Sequence, residues 1–475
     1  MPLQSAGPVV VAALAIGVLL AGALAARILS EWVDWGPAGP IALIAAAPLL
    51  PHVPLAQSLS ADDLLPLLGL GLLVRSQPVP RLTGSRTLRW LLAAVAVATV
   101  ARVGTALVNG DGLDGTFNML AQAIGRPVVL IGIACYVAVA APERLRHRFV
   151  AISVAAVGTF EATFGLLAFI LRLPSHVGME AARQATSLYG VCPGRITGTL
   201  GLSANHLGAV FVLSVPVTLG LAVTRAGWRR WAWAAAAAVQ CAALILTFTR
   251  SSILIGVVLS IGYLVYQRRF IMLAAVSAIA AGILASAFTI SCTSAPIGER
   301  FAEGNDRLAL WYAAGMIMVE HPLFGIGLDR MSVEVKTHPE RYRETPFGLA
   351  TSSAHNTILL AGAETGIPGG LAVLGINAGL AVVAVRVAWR ARRREDALIF
   401  AAALTLGGYL VQGMVNNLFS VPATSVVFAL LIGAVVGSHP QDDGRRNPDQ
   451  LSAGAPAAGP YTSPASDNHG PDGDR

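Results

Sequence analysis

Long apolar runs, separated by short breaks rich in arginine, make up most of this chain. A helix of about 20 apolar residues is long enough to cross a hydrocarbon core of about 30 Å. On that rule the pattern predicts spans near 7–28, 38–56, 61–74, 88–108, 118–141, 149–171, 204–224, 231–249, 251–266, 270–290, 368–388, 397–417 and 421–437. Pro48, Pro51 and Pro54 interrupt the second run and the third is short, so one of the two is read as re-entrant. The chain is therefore expected to be an all-α, polytopic integral membrane protein with about 12–13 transmembrane helices. A membrane barrel would need short segments of alternating polarity, and the pattern has none.

The breaks set the orientation. Arginines cluster at Arg75, Arg81, Arg86 and Arg89; at Arg144, Arg146 and Arg148; and at Arg225, Arg229 and Arg230. Arg268 with Arg269, and Arg386 with Arg390, Arg392, Arg393 and Arg394, complete the set. Two spans separate each cluster from the next, so all face one side, which the positive-inside rule makes cytoplasmic. The connections at 109–117, 172–203, 250 and 291–355 then face outward. This divides the chain into a membrane domain, 1–437, and a tail, 438–475. Within the domain lie a motif-bearing core, 195–370, and one large extracytoplasmic loop, 291–355. The tail is rich in Pro, Gly, Ser, Ala and Asp, and is expected to be disordered and cytoplasmic. Residues 7–29 are too long for a signal-peptide core and lack a basic start, so they read as a first span.

Composition sharpens this picture at two points. Charged residues are 12% of the chain, against about 25% in average soluble domains. The net charge of +7 raises nucleic acid as a partner. Its distribution in short clusters between spans argues for a membrane instead, with no nucleic acid. Cys135 and Cys241 fall within spans, whereas Cys192 and Cys292 fall on the outward side, where disulfides persist. A Cys192–Cys292 bridge is expected on that ground.

The chemistry-bearing side chains gather on the outward side. Arg195 opens the stretch Arg195-Ile-Thr-Gly-Thr-Leu-Gly-Leu-Ser-Ala-Asn-His206. Taken alone it is a snorkelling arginine as readily as a ligand. Arg250 lies in Thr247-Phe-Thr-Arg-Ser-Ser252, between two spans with almost no loop. Its bland reading is a cap on the preceding helix. Arg307 and Trp311 are four apart and share a face if 306–319 is helical. His355 and Asn356 precede Leu359-Leu360, and Glu364 follows. Gly366-Ile-Pro368 then breaks the helix, so 354–365 is read as a short surface helix and 368–388 as the true span. Asn356, Leu360 and Glu364 fall on one stripe of it. His206, His321 and His338 are also outward, but none shows the H-x3-H or HExxH spacing of a zinc site, so no metal is expected. Three arginines and a histidine on one face suit a diphosphate, because guanidinium forks match phosphate oxygens. The pattern suggests an enzyme acting on a charged, lipid-linked substrate at one bilayer face.

These residues resemble a known family. The string Thr247-Phe-Thr-Arg-Ser, the block from Arg307-x3-Trp311 to His321-Pro-Leu-Phe-Gly-Ile-Gly327, and Ala354-His-Asn356 through Glu364-Thr-Gly366 are similar to the O-antigen ligase and O-antigen polymerase superfamily. Arg195-x2-Gly198-x6-Asn205 resembles a further, looser block. The resemblance implies a GT-C-like membrane glycosyltransferase of the bacterial inner membrane. Such an enzyme takes a glycan from an undecaprenyl-diphosphate carrier and passes it to an acceptor glycan or lipid, with no cofactor and no metal. Arg195, Arg250 and Arg307 would then bind the diphosphate, and His355 would assist the acceptor. Trp311, Asn356 and Glu364 would support them. Another reading, from a different class, is a solute transporter, for example one related to bicarbonate uptake. A transporter should hold ionisable residues near the midplane, and the spans hold few, chiefly Arg102, Arg126 and Glu161.

Overall fold

The computed structural model describes residues 86–110, 121–139, 143–173, 194–200, 203–291, 304–342, 354–418 and 422–438. It also describes short pieces at 38–46, 54–56, 59–60, 66, 68–71, 116, 119, 179–180, 186–187, 190–191, 344–346 and 348–349. The expected first span, the Cys192–Cys292 bridge and the tail beyond Ser438 lie outside them.

Among the described residues the fold is helical. Its helices are α1 (Ala38–Ala45), α2 (Arg86–Asn109), α3 (Arg126–Val139), α4 (Glu143–Ile170), α5 (Ala204–Thr224), α6 (Gly227–Leu246) and α7 (Arg250–Tyr266). The chain continues with α8 (Phe270–Ser291), α9 (Gly304–Glu320), α10 (Met331–Thr337), α11 (Pro339–Tyr342), α12 (Thr357–Arg393), α13 (Ala397–Gly413) and α14 (Pro422–Val436). Five described helices are long and apolar enough to cross a membrane, and four shorter apolar ones accompany them. The protein is a multi-pass, all-α membrane protein.

Helix α5 is the axis. It is apolar on every side, which is the signature of a helix enclosed by others, and nearly all of it is buried. Helices α4, α6, α7 and α13 surround it. Its few polar groups are paired: Ser214 Oγ donates to Gln240 Oε1 of α6 at 2.8 Å. Gln240 Nε2 donates in turn to Thr159 Oγ1 of α4 at 2.9 Å. In an apolar interior such satisfied networks fix which faces meet.

Two expected spans differ in detail. The run 38–56 is not one helix, because α1 stops at Ala45 and Pro54–Ala56 is extended. The run 118–141 opens with a π-helical turn, Ala121–Gly125, before α3.

Described members of several arginine clusters meet at one end of the bundle. Arg225, after α5, lies in the field of Arg148 in α4 and of Arg229. Arg392, at the end of α12, lies over the Tyr266 ring at the end of α7, 5.4 Å from its centroid. The motif-bearing segments meet at the other end, where Arg172 after α4 donates to the Ile290 carbonyl of α8 at 3.1 Å.

Candidate functional site

The motif end is built from turns held by backbone hydrogen bonds. The first is the turn between α6 and α7. Only Thr247, Phe248 and Thr249 separate these helices, and Phe248 takes a positive φ of 49° to make the reversal. Arg250 is the first residue of α7 and is exposed. Arg195 clamps this turn from outside. Its Nε donates to the Thr247 carbonyl at 2.9 Å, and its Nη2 to Asn205 Oδ1 at 2.8 Å and Thr249 Oγ1 at 3.0 Å. The Thr247 carbonyl at the end of α6 is thus taken by Arg195, from a strand far earlier in the chain. Arg195–Ile196 itself pairs antiparallel with Met179–Glu180.

The turn after Arg195 is anchored from within the bundle. Glu161 of α4 accepts hydrogen bonds from the Thr199 backbone N–H (2.8 Å) and the Thr199 hydroxyl. This buried carboxylate therefore serves the Arg195 loop. Arg102, the other deep charge of interest, donates to the Gln122 carbonyl in the π-helical turn at 3.3 Å. Neither arrangement resembles a mid-membrane substrate path.

The second turn is His321-Pro-Leu-Phe-Gly-Ile-Gly327. It docks against a break in α12. Gly366 has φ 77° and ψ 175°, so α12 is two helices joined at a kink, as the Gly366-Ile-Pro368 pattern implies. The Ile326 and Gly327 N–H groups donate to the Ala363 and Glu364 carbonyls, both at 3.1 Å, and the Ile367 N–H donates to the Pro322 carbonyl at 2.8 Å. At each close approach of the two backbones, one side is a glycine. A Cβ on Gly325 would lie 2.3 Å from the Glu364 carbonyl carbon, and one on Gly366 2.4 Å from that of Leu323. Only glycine fits such an approach at positive φ. Helix α2 closes the assembly, with Thr105 Oγ1 donating to the Phe324 carbonyl at 2.7 Å.

Glu364 lies inside this joint. It is buried, and its carboxylate accepts from the Asp329 and Met331 backbone N–H groups, with Arg102 nearby. Its hydrogen bonds are spent on holding the loop. Asn356 is the N-cap of α12: its Oδ1 accepts from the Ile358 and Leu359 N–H groups at 3.0 and 3.1 Å. It therefore precedes the helical stripe on which the sequence placed it, and ends the helix as a short polar side chain should.

The third element is α9, which carries Arg307 and Trp311. Ala309, Leu310, Ala313, Ala314 and Ile317 pack with Met331, Val335, Tyr342, Ala354 and Ala363 into a separate small core. That packing brings the half-buried Arg307 to His355. Burial of the ring, and then the Arg307 guanidinium, hold the His355 pKa below its usual 6.5, so the imidazole is neutral at pH 7. His355 also has a positive φ of 46°. Non-glycine residues in this region are uncommon and cluster at functional sites. The Trp311 indole Nε1 is buried and has no hydrogen-bond partner among the described residues.

A fourth element escaped the sequence reading. Gln412, at the end of α13, donates to Ser252 Oγ. Asn416 Nδ2 donates to Ser251 Oγ at 3.0 Å, and the Asn416 carbonyl accepts from Thr357 Oγ1 at 3.1 Å. His206 Nε2 meets the Asn417 carbonyl at 3.4 Å. Amides carry no charge and no catalytic motif, so a search for titratable groups passes over them. Three amides closing an apolar run were the available signal. These bonds join Ser251, next to Arg250, to Thr357, two residues after His355, while Arg195 bonds to Asn205 beside His206 and Arg307 acts on His355 through its field. Among the described residues no three His, Cys, Asp or Glu side chains form a metal-binding group.

Fold and site together define a multi-pass membrane protein with a basic, partly buried site at one end of its helix bundle. Residues 209–374 match the family model described as O-antigen ligase, which supports the O-antigen ligase and polymerase superfamily as the family of this chain. The matched segment contains Arg250, Arg307, Trp311, His355 and Glu364, but not Arg195. No curated protein matches the chain. The family match supports a ligase- or polymerase-type enzyme of polysaccharide biosynthesis.

Proposed function

We propose that the protein transfers a glycan from an undecaprenyl-diphosphate carrier to an acceptor glycan or lipid, at the extracytoplasmic face of the bacterial inner membrane. The fold is read as GT-C-like. The observation that carries this reading is His355 in the field of Arg307, on a loop that Thr357 and Asn416 tie to Ser251 next to Arg250. The acceptor hydroxyl oxygen attacks the anomeric carbon, and the bond from that carbon to the diphosphate oxygen breaks. His355, neutral at pH 7, takes the hydroxyl proton. Arg250 and Arg307 receive the negative charge that develops on the departing diphosphate, so the reading calls for no metal. Arg195 adds positive charge and holds the turn that presents Arg250.

Hydrogen bonds to charged groups are worth about 1.5–3 kcal/mol each. Arg250 and Arg307 acting only in the transition state would supply roughly 3–6 kcal/mol, on the order of 10² to 10⁴ in rate. Purified protein in lipid nanodiscs, given an undecaprenyl-diphosphate oligosaccharide, tests the proposal. The expected result is elongated or acceptor-linked glycan with release of one carrier diphosphate per bond formed. No carrier release with either a second lipid-linked glycan or a lipid acceptor would refute it.

A further inference from the structure

The proposed reaction needs an anion-binding half and an acceptor-activating half at a fixed separation. Arg250 starts α7 and His355 precedes α12, and these helices are more than 80 residues apart in sequence. The segment that closes α13 joins them. The Asn416 side-chain amide donates to Ser251 Oγ at 3.0 Å, next to Arg250. The Asn416 backbone carbonyl accepts from Thr357 Oγ1 at 3.1 Å, two residues after His355. Asn416 is 2% exposed, so water does not compete for either bond. Its Oδ1 has no hydrogen-bond partner among the described residues. A buried amide oxygen left unpaired carries a desolvation cost that an apolar side chain there would not. Gln412, one turn earlier, repeats the contact to Ser252 and leaves its own Oε1 unpaired among the described residues.

We propose that Asn416 is a positioning residue: it sets the distance between the Arg250 turn and the His355 loop. This rests on the proposed function, because it presumes that both residues act on one substrate. Asn416→Ala or Ser251→Ala cuts the bridge on the Arg250 side, and Thr357→Val cuts it on the His355 side. A misplacement on the order of 1 Å costs up to about 10²-fold in rate. Each cut should therefore lower kcat about 10- to 100-fold, with KM for the lipid-linked donor little changed. Thr357→Ser keeps the hydroxyl and should retain near-normal kcat. Because either cut breaks the same bridge, Ser251→Ala combined with Thr357→Val should be no slower than the slower single variant.

The assay uses the full chain in nanodiscs, with monodisperse elution as the check on folding. Should Asn416→Ala not elute as folded protein, the Ser251 and Thr357 variants, which remove one hydroxyl each, decide the matter. Unchanged kcat in both, or losses that multiply in the double variant, would overturn the bridge while an active wild-type protein leaves the proposed function standing. A wild-type protein that releases no carrier diphosphate would overturn the function and the bridge together.

Discussion

Both ends of this bundle are rich in arginine, yet they use it differently. At the cluster-bearing end three guanidinium groups lie over aromatic rings: Arg393 is 3.6 Å from the Trp389 centroid, Arg392 is 5.4 Å from that of Tyr266, and Arg229 is 5.9 Å from that of Trp228. Trp389 and Trp228 are exposed. Such contacts suit a headgroup interface, where side chains adapt to a fluid partner. At the motif end Arg195 is fixed by three hydrogen bonds to protein groups, and Arg307 is half-buried beside a strained histidine. Turns that only glycine can make dock the neighbouring 321–327 loop on α12. Arginine count does not separate the two ends. Rigidity does: a site that stabilises developing charge must have its donors in place beforehand, whereas an orienting cluster needs only charge.

The comparison breaks most sharply at the arginines themselves. Arg307→Ala and Arg250→Ala should each lower carrier release by about 10²–10³, the usual effect of removing one preorganised donor. Arg→Lys at either position should rescue poorly, because the planar fork is lost. Alanine variants that retain near-normal turnover would show that the motif end is as adaptable as the other, and the diphosphate assignment would fall.

His355 sharpens it next. His355→Gln should cost about 10² in kcat. The wild-type profile should show an acidic limb below pH 6.5, since burial and then Arg307 depress the histidine pKa. Protonation as pH falls through that lowered value removes the base, so activity drops on the acid side and recovers above it. The Gln variant should lack the limb. In Arg307→Gln the limb should move toward higher pH, because one of the two causes of the depression is gone. A limb that stays in His355→Gln would assign the titration to another group.

A third perturbation tests the backbone joint. Gly366→Ala places a Cβ 2.4 Å from the Leu323 carbonyl carbon at φ 77°. Neither backbone has a flexible end that can give way. The expected outcome is a loss of folded protein of more than about 1 kcal/mol, the typical cost of a non-glycine residue in such a conformation, read as a lower thermal midpoint in detergent. An unchanged midpoint would mean the loop is not docked on α12.

The sequence made the helices legible because apolar length is a local property. The run 204–224 and helix Ala204–Thr224 coincide, and the kink at Gly366 follows from Gly366-Ile-Pro368. What stayed hidden depends on partners distant in the chain. Arg195 reads as a lone interfacial charge until the Thr247 carbonyl is seen beside it, 52 residues later. Asn356 and Glu364 carry motif chemistry in the sequence, yet in the fold one caps a helix and the other anchors a loop. Asn416 has no sequence signature beyond polarity in an apolar run.

The smallest effect should come from the cluster-bearing end. Arg393→Ala removes a guanidinium lying 3.6 Å from the exposed Trp389 ring. A cation–π contact at such a site is worth about 0.5–1 kcal/mol, and Arg390, Arg392 and Arg394 remain beside it to keep the orientation signal. Turnover should therefore stay within about twofold, and the thermal midpoint should fall by only a few degrees at most. Removing Arg390, Arg392, Arg393 and Arg394 together is the stricter test. It should reduce the amount of correctly inserted protein, read by impermeant thiol labelling of a cysteine placed at Lys336 in intact cells, while the inserted fraction keeps its specific activity. A fall in specific activity would couple the two ends through α12, which spans from Thr357 beside the site to Arg393 at the opposite end, and would replace the contrast between them with a single mechanical unit.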